Sequence, residues 1–178
     1  MMTLLYKIGL TFVLRWNLYF LWSRIVRLFT YRWRGYLPVE LEATQLQRFL
    51  NRQTWRKDPW WQLGDAIDWP RLFVRRGCGD CDEFAVTALD KGRHGVTWEN
   101  DHYMPYGLLT VVYDGGGHNV ALFKTTDGKS LLHMGNWGIH GPFETIEAAV
   151  ANICKTRKPR GWRLTSASLK TRIAYRIY

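Results

Sequence analysis

Three apolar runs separated by two tight-turn sequences constrain this chain more than any other feature. Residues 106–114 (YGLLTVVYD), 119–126 (NVALFKTT) and 130–137 (SLLHMGNW) are rich in β-branched, aromatic and leucine side chains. Between them lie DGGGH and TDGK, whose Gly and Asp suit hairpin turns. The pattern predicts an antiparallel meander. Helical spacing flanks it. Leu41, Leu46, Phe49 and Leu50 mark a helix over 41–53. Phe84, Ala85 and Leu89 mark a second, with Asp80 as N-cap and an end near Gly92. PFETIEAAVANICK marks a third, around Thr145. Pro59 and Pro70 read as breakers around a Trp-rich connector. Helices followed by a run of strands indicate an α+β fold rather than alternating α/β.

Charge divides the chain further. The formal net charge is +10, yet residues 1–39 hold six basic groups and no acid. The stretch after Glu147 holds eight basic groups and again no acid, which leaves −4 for residues 40–154. This predicts a basic aromatic helical arm (1–39), a mildly acidic core (40–154) and a basic tail (155–178), part of it strand. In the arm, Lys7, Arg15, Arg24 and Arg27 break every window of about 20 residues that could span a bilayer. Trp16, Tyr19, Trp22, Tyr31 and Trp33 beside arginines fit an interfacial helix over residues 1–36 that meets an anionic membrane surface or a protein partner. Docking on the chain's own core fits the same residues. The tail interleaves Trp162, Tyr175 and Tyr178 with basic residues, but no nucleic-acid-reading motif accompanies them. Three cysteines cannot form a dense disulfide framework, so a reducing, cytoplasmic compartment is expected.

The chemistry concentrates at Gly79-Asp80-Cys81-Asp82-Glu83-Phe84-Ala85. A cysteine in the first turn of a helix feels the positive end of the helix dipole, which favours thiolate. Asp82 and Glu83 oppose this, so a base is required. His118 follows 37 residues later at the start of an apolar strand, where it suits a Cys–His pair. Asn136, at the end of the next hairpin strand, is placed to orient the imidazole, with Trp137 covering the Asn–His hydrogen bond. Cys78 and Cys81 form a C-x-x-C that could bind zinc with His94, His102 or His118. No second C-x-x-C or H-x₃₋₅-H follows, and neither metal nor cofactor is expected.

At these residues the chain resembles the transglutaminase-like branch of the papain-like superfamily, in particular bacterial transglutaminase-like cysteine peptidases. The resemblance rests on Trp69-Pro70, Phe73, Gly77, GDCDEFA, HNVALF and the LLHMGNW strand end, and covers roughly 41–155. It implies a nucleophile helix packed on an antiparallel sheet, with Cys81 as nucleophile, His118 as base and then acid, and Asn136 as orienter. Asn136 stands where many relatives have Asp, and Arg75 stands where papain-type enzymes place an oxyanion Gln. The Cys81 N–H and a Trp such as Trp69 are then the candidate oxyanion donors. The implied activity is a thiol-dependent peptide or amide hydrolase or acyl transferase working through a thioester. A catalytically silent structural or assembly protein, phage virion proteins included, is the other class that the resemblance allows. It would act through the basic aromatic ends.

Overall fold

The computed structural model describes residues 41–57, 70–166 and 173–177. The arm, the connector with Trp69, and residues 167–172 and 178 lie outside them. In chain order the elements are β1 (Leu41–Glu42), α1 (Ala43–Asn51), β2 (Thr54–Trp55), α2 (Pro70–Arg76), β3 (Cys78–Gly79) and α3 (Cys81–Lys91). There follow β4 (Val96–Trp98), β5 (Asp101–Tyr113), β6 (Gly116–Thr125), β7 (Leu131–Gly135) and β8 (Gly138–Phe143). The series closes with α4 (Ile146–Cys154), β9 (Pro159–Ser166) and β10 (Ile173–Ile177).

The fold is α+β, built on one eight-stranded sheet with a separate parallel pair, β2–β3. The expected meander is present as β5–β6–β7 and is extended by β8. All neighbours in the large sheet are antiparallel except β1–β4. β5 organises it. One edge pairs with β6 from Tyr103↔Thr125 to Tyr113↔Gly116, while the other is shared between β4 at its start and β9 further on.

Both faces of the sheet are covered. Ala121 and Phe123 of β6 and Leu132 and Met134 of β7 pack with Leu46, Phe73, Phe84 and Ala88 from α1, α2 and α3. The intervening Val120 and Leu122 pack with Val150, Ile153 and Cys154 of α4 and with Trp162 and Leu164 of β9. The period-2 alternation of a strand sends neighbouring residues to opposite sides. Here both sides are core, so residues 119–123 are buried without a break.

Three expectations change. The first helix is shorter than 41–53, because Leu41–Glu42 pair with β4 before it begins. Pro70 opens α2 instead of breaking a helix, since the first helical position needs no N–H. The 155–178 segment is not a separate tail: β9 lies against β5 and β10 against β9. Arg163 is accordingly buried within the sheet. Cys154, the last residue of α4, is part of the core.

Candidate active site

Cys81 is the first residue of α3, and its position is fixed by a capping box. The Asp80 carboxylate accepts the Asp82 N–H at 2.9 Å, and Glu83 Oε2 accepts the Asp80 N–H at 2.8 Å. The box uses the first-turn N–H groups of Asp82 and Glu83 and leaves that of Cys81 out. Gly79 completes the setting. A Cβ there would meet the Phe73 ring at 2.7 Å and Glu83 Oε2 at 3.0 Å, so only glycine lets β3 run this close to α2 and α3.

The strand facing α3 is β6, but the residue it presents is Asn119. Its side-chain amide donates to Asp82 Oδ1, and its backbone N–H donates toward the Cys81 sulfur. The Cys81 thiol in turn donates to Asp82 Oδ1 at 3.5 Å. Burial first, and then the Asp82 and Asp80 carboxylates, push the thiol well above its ordinary pKa; the Asn119 N–H offsets this only in part. Burial and Asp82 likewise raise Asp80 far out of the carboxylate range. At neutral pH this is a protonated thiol among acids.

His118 lies on the other face. Alternation puts it with Val120 and Leu122 on the α4 side of the sheet. Its ring stacks on Trp137, with centroids 3.5 Å apart and planes 12° from parallel. Lys155 covers the Trp137 ring at 5.5 Å. Burial, helped by His133 and Arg157, lowers the His118 pKa to about 3, so the ring is neutral. His118 Nε2 is buried without a hydrogen-bond partner, and so is Asn136 Oδ1.

The structure thus brings together Cys81, Asp80, Asp82 and Asn119 on one face, and His118 and Trp137 on the other. The expected Cys81–His118 and His118–Asn136 hydrogen bonds are not made in this conformation. Trp137 does shield His118. Trp69 is outside the described residues. Sequence reasoning missed Asn119. The HNVALF run places His and Asn side by side, and only their facing distinguishes them.

Asp80, Cys81 and Asp82 present ligand atoms within 4.8 Å of one another, a group that could hold a cation. Neither Cys78 nor any histidine joins such a cluster among the described residues, so the zinc reading of the C-x-x-C gains no geometry. No family model matches the chain, and no curated protein sequence matches it.

Proposed function

We propose that the protein is a cysteine-dependent amide or peptide hydrolase, or acyl transferase, of the transglutaminase-like type, with Cys81 as nucleophile. One observation carries the reading: Cys81 opens a capped helix with its sulfur against the backbone N–H of Asn119, the residue next to His118. The conformation described is a resting one. Ladder pairing of β7 with β6 stops at Ala121↔Met134, and beyond it Gly135 lies against Asn119 and Val120 while Trp137 stacks on His118. The proposed chemistry requires the imidazole to leave the Trp137 stack and reach the Cys81 side, where Asn136 Oδ1, buried without a hydrogen-bond partner, is the acceptor assigned to it.

In the reaction, Nε2 of His118 takes the Cys81 proton and the thiolate attacks an amide carbonyl carbon. The C–N bond breaks as His118 returns the proton to the departing amine. Water or a second amine then opens the thioester and regenerates the thiol. The Cys81 N–H, unused by the capping box, is one oxyanion donor. The core assigned to this chemistry is a papain-like one, α3 on the antiparallel sheet. Three free cysteines support a reducing, cytoplasmic setting. The residues 1–36 arm is assigned to an anionic membrane or partner surface.

The test is turnover of fluorogenic peptide amides and of glutamine-containing peptides by the full chain and by Cys81→Ala. Loss of turnover with unchanged thermal unfolding supports the reading; turnover that survives the substitution refutes it.

A second reading has its own support. A thiol held by Asp82 and a histidine turned to the α4 face are what a silent relative would show, one serving assembly or a virion through its ends. Alkylation separates the two. In the resting state iodoacetamide should modify Cys81 slowly at pH 7 and faster only at clearly alkaline pH. A substrate-like peptide amide should accelerate modification at pH 7 if His118 can reach the thiol. No acceleration with any peptide, together with no turnover, selects the silent form.

A further inference from the structure

Residues 40–154 carry a net negative charge, yet the structure gathers a cationic surface inside them. β2 runs parallel to β3, with the Thr54 N–H on Gly77 O and the Arg56 N–H on Gly79 O, both at 2.7 Å. This brings residues 52–57 beside the end of α2 and the approach to Cys81. Arg52, Arg56, Lys57 and Arg75 are all exposed there. Trp55 is 52% exposed, more than any other large hydrophobic among the described residues. No carboxylate pairs with any of these four cations among the described residues.

We infer that this ribbon is the docking surface for an acidic polypeptide segment of the substrate. Unpaired cations around an exposed indole favour an anionic chain with apolar character. The position selects among anionic chains. β3 ends at Gly79, two residues before Cys81, so whatever lies along the ribbon is delivered to a group whose proposed chemistry needs an amide. A polypeptide carries acid and amide on one backbone; a nucleic acid or a lipid headgroup offers no amide to a thiolate. The inference rests on the proposed function for the nature of the occupant, and its test is binding, which requires no turnover.

The full chain with Cys81→Ala is titrated with fluorescein-labelled oligo-glutamate peptide, with oligo-lysine peptide, oligothymidylate and phosphatidylglycerol vesicles as comparators. The expected result is binding of oligo-glutamate and not of oligo-lysine. Its affinity should fall about tenfold when Arg52, Arg56, Lys57 and Arg75 are all changed to Gln, a modest loss per exposed charge. Trp55→Ala should weaken it further. Unchanged affinity in the four-Gln variant would overturn the inference, because the basic ends would then be holding the probe. A larger loss for oligothymidylate or vesicles than for oligo-glutamate would overturn it in favour of that partner. Intact oligo-glutamate binding without turnover would count against the proposed catalysis alone.

Discussion

The two faces of the sheet are built from the same strands and carry opposite chemistry. Toward α3, β6 presents Asn119 to a cluster of acids and a thiol, all competing for few protons. Toward α4 it presents His118 to Trp137 and His133, with Lys155 and Arg157 nearby. A single backbone step separates the two environments. The candidate reacting group on each face is held uncharged by burial and by its charged neighbours: a protonated thiol beside carboxylates on one side, a neutral imidazole near His133 and Arg157 on the other. The proposed Cys–His pair would require one group to cross from its face of the strand to the other.

The sharpest way to break this comparison is to empty each core in turn. Phe123→Ala on the α3 face should cost about 3–5 kcal/mol and Leu122→Ala on the α4 face about 2–5 kcal/mol in urea unfolding, since both side chains are fully buried. Only the first should speed Cys81 alkylation, because Phe123 packs in the cluster shared with α3. Equal alkylation in both variants would mean that the faces are not independent.

Asn119 is the next lever. Its amide donates to Asp82, which is buried, so Asn119→Ala should destabilise by about 1.5–3 kcal/mol, as expected for a hydrogen bond to a charged group. It also removes one constraint on the Asp82 carboxylate that holds the thiol. A loss below about 0.5 kcal/mol, the low end for an ordinary hydrogen bond, would show that Asp82 finds other donors.

The smallest effect at neutral pH appears only on acidification. His118 titrates near pH 3 when folded and near its ordinary 6.5 when unfolded. The unfolded chain therefore binds the proton first, and stability is lost as pH falls from about 6.5 toward 3. His133, lowered to about 4 mainly by burial, adds to the same limb. His118→Gln should leave stability near pH 7 little changed and flatten the acid limb. An unchanged acid limb would place His118 in a solvated setting instead.

Much of the fold was legible in the sequence because it is local. Asp80 reads as an N-cap from its place before an apolar helical face, and the capping box forms there. The helix expected around Thr145 is α4, whose N-terminus the Thr145 hydroxyl caps by accepting the Ala148 N–H. The hairpin sequences fix β5–β6 and β6–β7, whose turns need no distant partner. Less legible were β4 and β8, short strands that owe their state to neighbours in the sheet. The basic residues after 154 read as a tail that is part strand, but not as a part of the core sheet, where β9 lies against β5 and Arg163 is buried.

The sequence by itself determined that Cys81 would open a capped helix and that His118 would begin a strand of an antiparallel meander, because caps and hairpins are decided by neighbours along the chain. Which way His118 would face was decided only by the tertiary structure. A strand covered on one side announces its facing through alternating polar residues; β6 is covered by α3 on one side and α4 on the other, so Val120–Phe123 are all apolar and show no alternation that would assign a side to His118 or Asn119. The same holds for the cations of the β2–β3 ribbon, where segments far apart in sequence meet through two backbone hydrogen bonds.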